Sequence, residues 1–325
     1  MSQTDKINYL VGKEGLKREI LDPFNEKIIN FFSDLSKQIM KDKSLSKYPD
    51  LMAFAFFCRK ANLKNLKNKL DQSKLKRLGL GILFHITPSN IPTNFAYSLL
   101  FGLINGNTNL VKVPSQEFEQ VNIICKCIKQ IIKKKHQSIK NMIKVVRYKN
   151  NDAFTKKISQ LCDCRIIWGG DQSIEKIRSF TLNPNSLDLS FADRFSLCII
   201  NTDKLAQLSK EKFKKLIYDF YNDTFVVDQN ACSSPHLILW KGKKNENLKK
   251  FFWTSLNKLV KIKYDLNHTA AVDKYSELCK IILQDDKIEN FQRYSNNIYT
   301  IDLKRLPNKL DDYRGKWGFF YQFDI

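Results

Sequence analysis

Between Gly79 and Gly170 short apolar runs alternate with stretches of helical spacing, and this alternation leaves the chain few folds to choose from. Leu80–Ile86 is an apolar run bounded by Gly79 and by the turn-forming residues Thr87–Pro92, as expected of a strand buried on both faces. Phe95–Ile104 reads as an apolar helix closed by Asn105, Gly106 and Asn107. Strands follow at Leu110–Val113, Ile143–Tyr148 and Arg165–Trp168, with helices at Gln116–Lys134 and Ala153–Cys162 between them. Parallel strands need long crossovers, so the pattern predicts a parallel sheet with helices on its faces. A second set starts near Phe195, with strands at Ser196–Ile200 and His236–Trp240 and helices at Lys210–Asp223 and Phe251–Val260. Upstream, Phe24, Ile28, Phe31, Phe32 and Leu35 fall at helical spacing, and Leu63, Leu66 and Leu70 form another amphipathic face. The expected organisation is a helical segment over 1–76, a first α/β domain over 77–195 and a second over 196–325.

The chain carries 55 Lys and Arg against 33 Asp and Glu, a formal charge of +22. Such a balance can mark a nucleic-acid or anionic-lipid partner. Here the lysines are scattered through nearly every segment, as in Lys64–Lys76, Lys129–Lys135 and Lys241–Lys250. No aromatic residues interleave with them as they do in single-strand binding platforms, so no nucleic acid is expected. A basic surface does favour polyanionic small molecules such as nucleotides and coenzyme A. Eight cysteines are spread over 325 residues. The pairs Cys125/Cys127 and Cys162/Cys164 are C-x-C, not the C-x-x-C of zinc or redox sites, so free buried thiols and no metal are expected. No run of eighteen apolar residues is present, and Met1–Lys6 leads into a polar segment rather than a signal-peptide core. The expectation is a cytoplasmic protein with no integral membrane span.

Four segments hold residues that packing alone does not demand. In His85–Pro92 two prolines frame Asn90 directly after the first buried strand. Open α/β sheets bind ligands at that carboxyl edge, and a rigid amide can donate to a developing oxyanion. The alternative is a turn asparagine that satisfies its own backbone. Lys112 ends an otherwise apolar strand in Asn109–Ser115, so it either meets an anionic or hydroxyl partner or snorkels to water. Gly169 and Gly170 precede the helical stretch Gln172–Phe180. They either let a phosphate approach the helix N-terminus or form an ordinary turn, since G-x-G-x-x-G is absent. Cys232 sits among small polar residues in Asp228–His236, unlike a packed cysteine, and is expected to be exposed and reactive. His236 either pairs with it as a Cys–His dyad or begins the next strand.

In this order the four segments resemble the acyl-CoA reductase branch of the aldehyde dehydrogenase superfamily, which includes the LuxC-type fatty acid reductases of bacterial bioluminescence. The closest stretches are His85–Ser115, Ile166–Ile177, Leu189–Ile200 and Asp228–Ile238, within residues 79–240. The resemblance implies an α/β, aldehyde-dehydrogenase-like fold: a Rossmann-type dinucleotide-binding domain plus an α/β catalytic domain, with N-terminal helices. It makes Cys232 the nucleophile and Asn90 the oxyanion-hole residue, acting with the backbone N–H of Cys232. It puts Lys112 at the adenosine ribose, and Gly169 and Gly170 at the turn beside the pyrophosphate. Thr87, Pro88 and Ser115 join the cofactor-binding set, and Trp168 is structural. The implied cofactor is NADPH, with NADH as the alternative; the implied partners are an acyl-CoA or acyl-protein thioester and, in a homo-oligomer, further copies of the chain.

One departure bears on the chemistry. Hydrolytic aldehyde dehydrogenases carry a glutamate that activates water, and the matching stretch here, Leu189–Arg194, has none. Without that base an acyl-enzyme is not readily hydrolysed, which fits acyl transfer from a thioester whose thiolate leaves unaided. The resemblance also implies more chain than is present: Trp317–Phe323 is an apolar run next to Asp324 and Ile325. The chain is therefore expected to lack a C-terminal part. A truncated or inactive binding subunit stands as the alternative to a working reductase.

Overall fold

The computed structural model describes residues 6–70, 76–149 and 151–325, and its contacts divide the chain into two compact units, Met1–Asp193 and Arg194–Ile325. The first unit runs β1 (Asn8–Val11), α1 (Glu26–Lys41), α2 (Pro49–Phe57), α3 (Lys60–Leu70), β2 (Ile82–Ile86) and α4 (Asn94–Ile104). It continues with β3 (Thr108–Val113), α5 (Glu119–Lys134), β4 (Ile143–Arg147), α6 (Asp152–Leu161), β5 (Cys164–Gly169), α7 (Asp171–Arg178) and β6 (Leu187–Ala192). Its sheet has the order β1-β4-β3-β2-β5-β6, parallel throughout except for β1. Chain direction across the sheet reverses between β2 and β5, the switch point at which doubly wound sheets open a crevice.

Along β2, β3 and β4 both faces of this sheet are covered, which is why these strands read as apolar runs, whereas β6 keeps Leu187, Leu189 and Phe191 exposed. One core joins α1, α4 and α5 through Ile28, Phe32, Leu99, Leu103, Ile124 and Ile128; the other holds Phe84, Ile86, Leu110, Val146 and Ile158. The closing signal after α4 behaves as expected. Gly106 adopts φ +81°, its N–H donates to Leu103 O at 2.8 Å, and the Asn107 N–H donates to Gly102 O at 3.2 Å. These two bonds and the left-handed residue make a Schellman cap.

Helix over the whole of 1–76 is not what forms. Residues 1–5 and 71–75 of that span lie outside the described residues, and Asn8–Val11 form a strand antiparallel to β4. Ile7 and Tyr9 pack into one core, and a bulge between Tyr9 and Val11 turns Val11 into the other. Sheet-edge pairing here overrides a local signal only four residues long. The helices α1 and α3 follow as the spacing predicts, with α2 between them.

The second unit runs β7 (Ser196–Asn201), α8 (Thr202–Ala206), α9 (Lys210–Thr224), β8 (Pro235–Lys241), α10 (Glu246–Lys263) and α11 (His268–Gln284). It ends with β9 (Ile288–Tyr294), β10 (Ile298–Leu303) and β11 (Phe319–Asp324). The sheet order is β7-β8-β11-β10-β9, with only β9 antiparallel. The apolar run Trp317–Phe323 thus supplies a central strand, and Phe319, Phe320 and Tyr321 are buried between helical layers. Among the described residues no helix is long and apolar enough to cross a membrane, and no group of three or more His, Cys, Asp and Glu could hold a metal ion.

Candidate active site

At the carboxyl edge of the first sheet, the ends of β2, β3 and β5 bring three of the four segments together. Ile86 is in register with both Lys112 and Ile167, so the turn Thr87–Pro92, Lys112 and Gly169–Gly170 leave the sheet at one edge. The turn is tied down by Thr87, whose N–H and hydroxyl both donate to Lys112 O, at 3.2 and 2.8 Å. Thr87 is buried, and its hydroxyl gives its hydrogen to that carbonyl. Pro88 is half-buried, and Ser89, Asn90 and Ser115 are exposed. The Lys112 ammonium lies 5.1 Å from the centre of the Tyr148 ring, and burial holds its pKa below the ordinary lysine value. No carboxylate pairs with it among the described residues.

Below the turn lies a network that sequence spacing did not reveal. The buried His85 contacts Ser98 Oγ through Nδ1 at 2.7 Å and Asn109 Oδ1 through Nε2 at 2.8 Å. Asn109 donates its own amide to Asn107 O at 2.6 Å, so its oxygen accepts, and His85 must carry its proton on Nε2. Ser98 then donates to Nδ1 and accepts from Trp168 Nε1–H at 3.1 Å. Trp168 also stacks on Phe191, with centroids 4.1 Å apart. Every member is satisfied only if His85 is neutral, and burial pushes its pKa down to about 4, against a partial opposing effect of the Asn109 hydrogen bond.

The glycines after β5 differ from Gly106. A Cβ on Gly106 would stand 1.9 Å from Leu21 O, whereas one on Gly170 would meet nothing within 4 Å, and one on Gly169 only Ser173 Cβ at 3.5 Å. Gly170 also has an ordinary φ of −73° and caps α7 without a side-chain hydrogen bond. Neither packing nor backbone conformation requires glycine there. The turn leaves open space before a helix N-terminus, an arrangement that can admit an anionic group.

The second unit holds Cys232 on the connection from α9 to β8. After α9 the chain turns through a second Schellman pair, with Asp228 N–H to Phe225 O at 3.3 Å and Gln229 N–H to Thr224 O at 2.7 Å. Here no glycine is used: Asp228 and Gln229 take φ values of +54° and +61°. Left-handed backbone costs a non-glycine residue roughly 1–2 kcal/mol, so other contacts must hold it. Tyr264 Oη donates to Asp228 Oδ1 at 2.5 Å, and Trp317 N–H donates to Asp228 O at 3.2 Å. Cys232 is exposed, and its carbonyl accepts from Ser196 Oγ at 2.7 Å. By contrast Cys58, Cys125, Cys127, Cys162 and Cys164 are buried thiols; burial pushes Cys125 and Cys162 up to about 12. Cys279, the other exposed thiol among the described residues, lies on α11.

His236 resolves as the second residue of β8, buried, with Nδ1 3.0 Å from Gly315 O. Gly315 itself lies against the Phe319 backbone, where a Cβ would fall 1.7 Å from Phe319 O. A buried lysine lies close by in the same unit. Lys274 Nζ donates to Asn297 O at 2.9 Å and Trp317 O at 2.7 Å, and burial, with Arg293 nearby, pushes its pKa down to about 7.

The stretch without the water-activating glutamate, Leu189–Arg194, spans the end of β6 and the residues after it. Just before it, Asp188 is engaged by Arg165 through contacts of 3.2 and 2.7 Å. The Asp193 N–H donates to Gly169 O at 3.1 Å.

A family model described as acyl-CoA reductase (LuxC) matches residues 17–270. A long-chain acyl-protein thioester reductase of Photorhabdus luminescens is 22% identical over 286 residues, covering 81% of this chain and 57% of the relative. One of the same name from Photorhabdus laumondii is 23% identical over 260 residues, covering 74% and 52%. The chain thus spans little more than half the length of these curated relatives. Among solved structures, the NAD-dependent benzaldehyde dehydrogenase of Corynebacterium glutamicum aligns with a TM-score of 0.62 at 10% identity, over 93% of this chain and 72% of the other. The NADP-dependent glyceraldehyde-3-phosphate dehydrogenase of Bacillus halodurans C-125 aligns at 0.58 and 11% identity, over 94% and 70%. The fold is therefore that of the aldehyde dehydrogenases, and the chain belongs to the acyl-CoA reductase (LuxC) family.

Proposed function

We propose that the chain reduces an acyl thioester, carried by coenzyme A or by a protein, to the aldehyde through an acyl-enzyme on Cys232. The observation that carries this reading is the contrast among the thiols. Cys232 is exposed on a loop held by backbone and side-chain bonds, while five of the other cysteines are buried. The name carried by the two Photorhabdus relatives, acyl-protein thioester reductase, agrees with it.

In the proposed reaction the Cys232 thiolate attacks the thioester carbonyl, the bond to the departing sulfur breaks, and a thiol is released. Asn90 is assigned to donate its amide to the oxyanion, with the backbone N–H of Cys232. A donor of this kind contributes roughly 3–4 kcal/mol in comparable sites, so Asn90→Ala is expected to slow turnover about a hundredfold or more. NADPH, or NADH, when bound supplies the hydride that reduces the acyl group. For that dinucleotide we assign Lys112 and Ser115 to the ribose end, and Gly169 and Gly170 to the pyrophosphate. The open space at Gly170 and the unpaired charge of Lys112 suit such a polyanion. Thr87 and Pro88 are assigned to the same cofactor-binding set, with Thr87 tying the turn to the Lys112 carbonyl. With no glutamate in Leu189–Arg194, this stretch lacks the residue by which hydrolytic aldehyde dehydrogenases turn water onto the acyl-enzyme.

The test is intact-mass spectrometry after mixing the protein with acyl-CoA or an acylated carrier protein, wild type beside Cys232→Ala. The expected outcome is an adduct of acyl mass on the wild type only, discharged by NADPH. No adduct at any chain length would transfer the reading to a binding subunit without acyl chemistry.

A further inference from the structure

Gln229 is 1% exposed, yet its side chain is a carboxamide with two donors and an oxygen to satisfy. All are satisfied, by Pro235 beyond the nucleophile and by Gly318 and Phe319 at the start of β11. Nε2 donates to Pro235 O at 2.9 Å and to Phe319 O at 3.0 Å. Oε1 accepts from Gly318 N–H at 3.1 Å and Phe319 N–H at 3.2 Å. Gln229 opens the loop that carries Cys232 and Pro235 closes it, so one amide joins the loop's two shoulders and fastens both to the start of β11.

The sequence explains why a side chain is used. The register of β8 with β11 aligns Leu237 with Tyr321, and continued backward it sets Pro235 opposite Phe319. Proline has no N–H to give a neighbouring strand. The Gln229 amide gives and takes one hydrogen bond with the Phe319 backbone, as a strand residue would. The anchor is itself fixed: Gly318 has φ +83° with Asn297 O where a Cβ would go, and Lys274 grips Asn297 O and Trp317 O. Across the loop, Ser196 holds the Cys232 carbonyl.

We propose that Gln229 is the positioning residue of the nucleophile, fixing the direction of Cys232 Sγ through the loop's two ends without touching a reacting atom. This rests on the assignment of Cys232 as nucleophile. Gln229 makes these four bonds from a left-handed backbone, φ +61°, and they help to offset its cost.

The test uses Gln229→Met, which keeps length and volume and removes every hydrogen bond. Misdirected reactive groups lose rate rather than affinity, so saturating acyl transfer to Cys232 is expected to fall about tenfold to a hundredfold, with the half-saturating thioester concentration changed less than about threefold. Iodoacetamide labelling of Cys58 and Cys125 at the wild-type rate would show that the fold is retained, with Cys279 as the exposed reference. Acyl transfer at the wild-type rate in Gln229→Met overturns the proposal. So does a loss matched by labelling of Cys58 and Cys125, which would make Gln229 a folding residue only. If the wild type takes up no acyl group, the nucleophile assignment itself fails. A changed ratio of Cys232 to Cys279 labelling in Gln229→Met would still support the positioning role, and an unchanged ratio would overturn it.

Discussion

At the scale of single residues, two buried bases set opposite ends of a pH profile. His85 takes a proton near pH 6.5 when unfolded, but only at about 4 when folded. Between those values the unfolded state binds more protons, so stability falls as pH drops from 6.5 towards 4 and levels off below. Urea unfolding between pH 7 and 4 is expected to show this loss, and His85→Leu, though less stable at pH 7, should lose that part of the slope. Lys274 is pushed down to about 7 from 10.5, so the unfolded state again holds the extra proton, now between pH 7 and 10.5. Its contribution therefore makes the protein more stable as pH rises through that window. Lys274→Met would leave the Asn297 and Trp317 carbonyls without their donor, at a cost of about 1–3 kcal/mol each, measured as a lower urea midpoint.

At the scale of elements, the two glycine turns of the first unit should respond differently to the same change. Gly106→Ala forces a left-handed residue against Leu21 O and is expected to cost more than about 1–2 kcal/mol. Gly170→Ala meets nothing and should leave the melting temperature nearly unchanged while weakening dinucleotide binding, read by titration of NADPH fluorescence. Strands β2, β3, β4 and β5 were legible because each is a local apolar run between turn residues. The strand β1 was not, since four residues carry too little periodicity and the pairing partner β4 lies far along the chain. The strands β9, β10 and β11 escaped the same reading: Ile288–Tyr294 is largely polar, and what makes it a strand is its antiparallel neighbour β10.

At the scale of the whole molecule, fold class and the order of the four segments could be read from sequence because three segments follow directly on strands and the fourth leads into one. Cys232 stood out by its small polar neighbours and is exposed as expected. The parts that hold such residues in place could not be read. Ser98 and Trp168 are 70 positions apart, and nothing in either segment announces the hydrogen bond between them. Gln229 stood in the quoted motif, but its partner Phe319 is 90 residues away. Reactive groups are thus visible locally, whereas their supports are tertiary.

That separation of 90 residues also has a meaning in time. A ribosome adds about 5–20 residues per second, so Phe319 emerges roughly 5–18 s after Gln229. Throughout that interval the loop bearing Cys232 has no β11 to fasten to. The strand inserted at the middle of the second sheet is made after β7, β8, β9 and β10, so the thiol is set in its final direction only once that strand is in place.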